Sequence, residues 1–217
     1  MLASFGMPVK CSSGETPQMP SLAITGTIGS GKSLLLHKLG TLLGAKTFSA
    51  DEENRLLLDH DREVKELILS HFGEISYLND GTANRKALFE LIRRDPGARQ
   101  VLESILHPRI QAVWKPLAET FHGNSDFYFL AEIPLLYEKK LEVFFDKTIV
   151  VGCSDSVRRK RLQGLRSLSM TESDAWLKMQ VPQDIKVTQA HYLLWNDGTE
   201  SQLLVQTQLL ASHFLNA

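Results

Sequence analysis

The sequence predicts an α/β fold built on a doubly wound parallel sheet, on three observations. Short apolar runs alternate with helical patterns through most of the chain, the order expected of a parallel sheet with crossover helices. The first run, Ser21 to Thr25, opens directly into Gly26-Thr27-Ile28-Gly29-Ser30-Gly31-Lys32-Ser33, a full match to the phosphate-loop pattern G-x-x-x-x-G-K-[ST]. Leu34, Leu35, Leu36, Leu39, Leu42 and Leu43 then recur at helical spacing before Gly44. Together these specify a P-loop NTPase-type sheet.

The remaining elements follow in order. Lys46 to Ala50 reads as a second strand with Asp51 at its end. Residues 52–72 read as helix, interrupted at Asp59-His60-Asp61, and Asn79-Asp80-Gly81 as a turn. Helical patterns resume at 85–94, 98–106 and 109–122. His107-Pro108 separates the last two, because the residue before proline avoids helical geometry. Phe127 to Ile133 reads as a strand ended by Pro134, and Lys147 to Val151 as another. A basic helix at 155–165, a Ser-rich link, a helix ending near Gln180, a last buried strand at Tyr192–Trp195 and an amphipathic helix at 200–215 complete the chain. The all-helical stretch from about 52 to 123 is expected to pack beside the sheet as a substrate-binding insert.

Composition narrows the class. The chain has 217 residues, 43% hydrophobic and 23% charged, suiting one compact domain over 21–217 after a flexible tail at 1–20. A net charge of −1 gives no electrostatic reason to expect nucleic acid or a membrane surface as partner. No apolar run reaches the roughly 20 residues of a membrane-spanning helix, and the first twenty residues lack the apolar centre of a secretory signal. Two distant cysteines, Cys11 and Cys153, suit a reduced cytosolic protein. A monomer or small homo-oligomer is expected.

The loop carries the chemistry. Its glycines let successive N–H groups turn inward around a phosphate, and the following helix adds its N-terminal donors. Lys32 is placed to bridge the β- and γ-phosphates of ATP, and the Ser33 hydroxyl to bind Mg²⁺. Asp51 is read two ways: as a base or Mg²⁺-side carboxylate in the crevice of the sheet, or as a helix cap ahead of Glu52-Glu53. Glu132, closing an apolar run, suits an acid that meets Mg²⁺ through water, or an ordinary strand-end acid. Arg158, Arg159, Lys160, Arg161 and Arg166 are dense. Most belong to a solvated helix face, with one or two turned inward over a phosphate. No His/Cys cluster has metal-ligand spacing.

Several ordered motifs now resemble the dephospho-coenzyme A kinase family from Ser21 to Ala217. They are Leu22 to Ser33, Ser49-Ala50-Asp51, His71-Phe72-Gly73 with Asp80-Gly81, Arg85 and Leu88, Leu102 to Pro108 with Ile110, Ile133 to Glu138, and Gln180, Lys186 and Asn196-x-Gly198. The resemblance implies transfer of a phosphoryl group from ATP to the ribose 3′-hydroxyl of dephospho-coenzyme A, giving coenzyme A in the cytoplasm. It implies Lys32, Asp51 and Arg161 as catalytic, with Asp51 the base, and Ser33 and Asp51 on the metal. Gly26 to Leu34, Asn196, Gly198 and Arg166 would face ATP, Arg166 from a lid at about 154–182. Arg85, His107 and Pro134-Leu135-Leu136 would face the acceptor. The chain departs from the family pattern at Thr27, Ser49, Leu34 and His191, and at Val187, Thr188 and Gln189.

Two rivals share parts of this signature. A kinase of the nucleoside monophosphate type carries a P-loop, lid arginines and an insert. A non-catalytic nucleotide-binding module carries the P-loop alone, although the Asn-Lys-x-Asp pattern of a guanine-specific switch is absent.

Overall fold

The computed structural model describes residues 20–122, 127–166 and 181–216, and of Leu165 and Arg166 the backbone alone. Residues 1–19 of the tail expected at 1–20, the centre of the expected lid with its helix ending near Gln180, and Cys11 lie outside the described residues.

Among the described residues, five strands form one parallel sheet: β1 (Ser21–Thr25), β2 (Lys46–Ser49), β3 (Phe129–Glu132), β4 (Lys147–Gly152) and β5 (Tyr192–Trp195), in spatial order β2-β3-β1-β4-β5. The chain leaves β1 toward one edge and leaves β3 toward the other. The crevice between their C-terminal ends is therefore the switch point where doubly wound sheets bind ligands.

The side-chain period of two divides the core. Leu22, Ile24, Leu130, Ile149 and Val151 pack on one face with Leu35 and Leu39 of α1 (Lys32–Leu43) and Leu203 and Phe214 of α8 (Glu200–Leu215). Ala23, Phe129 and Ala131 face the other way. They meet Leu58 of α2 (Ala50–His60), Ile68 of α3 (Arg62–Phe72), Leu88 of α4 (Arg85–Arg94) and Trp114 of α5 (Pro96–Phe121). Two further helices, α6 (Asp155–Arg166) and α7 (Gln183–Gln189), flank the β4 and β5 ends.

Three expectations need correction. β2 stops at Ser49, whose hydroxyl accepts the Glu52 N–H and caps α2, so Asp51 lies in the first helical turn. The expected break at His107-Pro108 is absent: α5 runs through Pro108 and Pro116. Buried Ile105, Leu106, Ile110 and Trp114 hold both sides of the first proline in place. The Ile105 carbonyl, in the turn that Pro108 disturbs, accepts from Arg109 Nη1 at 2.9 Å. Tertiary packing outweighs the local penalty here. β5, expected as buried, is an edge strand with Leu194 alone buried.

Candidate active site

The C-terminal ends of β1, β2, β3 and β5 feed one cleft of about 1220 Å³. Behind β1, the phosphate loop turns at Gly26, Gly29 and Gly31, each with positive φ. A methyl group on Gly31 would overlap the Asn196 amide, and one on Gly26 the Val151 carbonyl, so both positions exclude side chains by close approach as well as by conformation. No side chain caps the N-terminus of α1, which leaves its first N–H groups for an anion.

Ile28, Gly29, Gly31, Lys32, Ser33 and Leu34 line the cleft. Gly26, Thr27 and Ser30 support the loop from behind, with Thr27 and Ser30 buried. Lys32 is folded back, its Nζ 3.2 Å from the Thr27 carbonyl. Asp51, in the exposed first turn of α2, lines the cleft.

Glu132 is buried at the end of β3 and ties two site segments together. Ser33 Oγ donates to its Oε1 at 3.1 Å and Ser49 Oγ to its Oε2 at 3.3 Å. Burial pushes the Glu132 carboxyl above its ordinary value. The Lys32 charge opposes that rise, and the Asp51 charge adds to it. Ser49 thus ties the end of β2 to Glu132 through its hydroxyl.

The basic stretch resolves residue by residue. Arg158 is buried in an ion pair with Asp155, and Lys160 is exposed. Arg161 reaches the cleft. Its Nη1 lies 3.4 Å from the Gly29 carbonyl and its Nη2 3.3 Å from Asn196 Oδ1 and 3.5 Å from the Gly198 carbonyl. Asn196, itself buried, donates through Nδ2 to the Ser30 carbonyl at 2.8 Å. Arg161, Asn196, Gly198 and the phosphate loop are therefore one assembly. The Arg166 side chain lies outside the described residues.

On the facing wall, Arg85, His107, Pro134 and Leu135 line the cleft. Arg85 Nη2 is 2.7 Å from Asp59 Oδ2. Burial holds the His107 imidazole below its usual value, against the opposing pull of Glu103. Leu136 does not join this wall: it is fully buried in the core, because the turn after Pro134 directs successive side chains apart.

Sequence reasoning gave no role to α7, which braces the site. Gln183 spans the end of β4, donating to the Cys153 carbonyl at 2.9 Å and accepting its N–H at 3.1 Å, and meets Thr27 Oγ1 at 3.4 Å. Lys186 Nζ, wholly buried, lies 2.8 Å from Glu138 Oε1 and 3.0 Å from the Pro134 carbonyl. The only advance signal was Lys186 in the C-terminal motif block. At His191, the Thr148 N–H donates to Nδ1 at 3.1 Å, so the imidazole fills an acceptor role there.

Comparison with known proteins places this geometry. The family model described as dephospho-CoA kinase matches residues 21–202. The dephospho-CoA kinase of Wolinella succinogenes is 33% identical over 88% of this chain and 92% of its own. That of Listeria monocytogenes serotype 4b is 30% identical over 88% and 94%. Among solved structures, TT1252 from Thermus thermophilus superposes with a TM-score of 0.68 at 27% identity, covering 90% of this chain and 98% of its own.

Proposed function

The chain belongs to the dephospho-CoA kinase family, which phosphorylates dephospho-CoA to CoA in the last step of CoA biosynthesis, and from that premise we propose a residue-level route for the transfer. The acceptor atom is the ribose 3′-hydroxyl and the donor is the γ-phosphoryl group of ATP. The observation that carries this reading is the shared cleft: Lys32, Ser33, Asp51 and Arg161 line it together with Arg85, His107, Pro134 and Leu135.

In this route the loop N–H groups and the α1 terminus hold the phosphate chain, and Lys32 exchanges the Thr27 carbonyl for phosphate oxygens. Asp51 takes the proton of the 3′-hydroxyl as that oxygen bonds to phosphorus. The bond from phosphorus to the β–γ bridging oxygen breaks and ADP leaves. Arg161 presents its guanidinium to the charge spread over the phosphoryl oxygens. Helices α2 to α5 act as the substrate lobe, and the region at 154–182 as a lid carrying Arg166.

The donor set suits Mg²⁺. Ser33 and Glu132 offer hard oxygens side by side and Asp51 a third nearby, while substrate phosphates complete the usual shell of this ion. When bound, Mg²⁺ supplies positive charge to the transferring phosphates. The buried, free thiol of Cys153 accords with a reducing cytoplasmic setting.

Asp51→Asn tests the route. Turnover should fall by about 100- to 10,000-fold, the usual worth of a positioned base, with ATP affinity nearly unchanged. Turnover that survives the change would remove Asp51 as the base.

A further inference from the structure

Resting on the reading above, the acceptor is more than a ribose hydroxyl. Dephospho-CoA carries a 5′-diphosphate between its adenosine and its pantetheine arm. A cleft that orients the 3′-hydroxyl must also compensate that anion.

Among the described residues, the lysines and arginines lining the cleft are Lys32, Arg55, Arg85, Arg99, Lys139 and Arg161. Lys32 and Arg161 rest on the phosphate loop, Arg85 is matched one-to-one with Asp59, and Arg55 is exposed on α2. Arg99 and Lys139 differ from these. Both converge on a single carboxylate: Arg99 Nε is 2.7 Å from Glu103 Oε1 and Lys139 Nζ 2.8 Å from Glu103 Oε2. Two cations on one anion leave an excess positive charge. Burial pushes the Glu103 carboxyl up, but the hydrogen bonds from Lys139 and Arg99 outweigh it and keep the group ionised. His107, one turn further along α5, is held toward its neutral form by burial.

The placement also fits. Arg99, Glu103 and His107 stand at i, i+4 and i+8 on one face of α5, and Lys139 comes from the segment after Pro134-Leu135. The group therefore joins two walls of the cleft. Leu102, Leu106, Ile110 and Trp114 line the same cleft and offer apolar surface beside it. Arg99 is half-buried and Lys139 is exposed, and an arginine fork beside a lysine ammonium is a recurring combination for phosphate.

We propose that Arg99 and Lys139, gathered by Glu103, form the subsite for the 5′-diphosphate of dephospho-CoA. Glu103 holds both side chains in place before the ligand arrives, and so acts as a positioning residue.

Steady-state kinetics of the full chain, its R99Q and K139Q variants and the charge-keeping R99K and K139R variants test this. Each Gln variant should raise the KM for dephospho-CoA by about fivefold or more, as lost charge-assisted hydrogen bonds would, while the KM for ATP stays level. R99K and K139R should recover most of the loss. The KM for dephospho-CoA should rise with KCl in the unaltered chain, and less steeply in R99Q, because fewer charges remain to be screened. An unchanged KM for dephospho-CoA, a matching rise for ATP, or an unaltered salt slope would overturn the assignment. Turnover of dephospho-CoA by the unaltered chain is a separate readout, so failure of the subsite and failure of the reaction are distinguishable.

Discussion

Ser33 Oγ donates to Glu132 Oε1 at 3.1 Å, so the last residue of the phosphate loop and the last residue of β3 share one hydrogen bond across the switch point of the sheet. This bond fixes the orientation of two hard-oxygen donors relative to each other. Its partner bond from Ser49 at 3.3 Å fixes the second carboxylate oxygen.

Loss of either donor should therefore weaken Mg²⁺ use more than nucleotide binding. Ser33→Ala and Glu132→Gln should each raise the Mg²⁺ concentration for half-maximal rate by about 10- to 100-fold, the range for disturbed metal surroundings. Titration of the rate with MgCl₂ at fixed ATP reads this directly. An unshifted titration would remove the pair from the metal site.

Acid should act through the same group. Burial raises the Glu132 carboxyl, Lys32 opposes this and Asp51 reinforces it. The ionised form suits the metal, so kcat/KM for ATP should be present above the raised value and lost as pH falls through it. The acid limb should lie above the ordinary carboxylate value of about 4.3. Stability runs the other way. A folded-state value above the unfolded one contributes stability that is full at low pH and lost as pH rises. Glu132→Gln should therefore unfold at no lower temperature than the unaltered chain at pH 7, with the difference narrowing on acidification. Calorimetry across that range checks it, and a variant destabilised at pH 7 contradicts it.

Buried Lys186 pairs with the largely buried Glu138, and the Lys186 ammonium also holds the Pro134 carbonyl. Burial pulls the Lys186 value down and Glu138 restores it in part. Lys186→Met leaves a buried carboxylate uncompensated and should cost about 3–5 kcal/mol in chemical denaturation. Adding Glu138→Leu removes the second charge and should recover most of that loss. If the double variant is no more stable than the single one, the charge pair is not what the fold depends on.

The phosphate loop and the alternating strands were legible because each rests on local pattern. The match at Gly26 to Ser33 needs only eight residues, and β1 and β3 each announce themselves as apolar runs. What escaped was set by distant partners. Pro108 reads locally as a break, yet the packing of Ile105, Leu106, Ile110 and Trp114 carries α5 through it. The basic run by itself left open which arginine turns inward; the family resemblance pointed to Arg161, and its contacts with Gly29 and Asn196, far away in sequence, show how it reaches the cleft. Leu136 belongs to the core although its neighbours Pro134 and Leu135 line the cleft. Gln183 carries no signal in the sequence and Lys186 only its place in a motif, because their roles lie in contacts with Thr27, Cys153, Pro134 and Glu138.

The most direct test of the account is the product itself. Purified protein with ATP, Mg²⁺ and dephospho-CoA is followed by mass spectrometry and phosphorus NMR. One ADP should appear for each CoA formed, with the new phosphate on the ribose 3′-oxygen. No CoA at saturating substrates, or a phosphate on another oxygen, would contradict it.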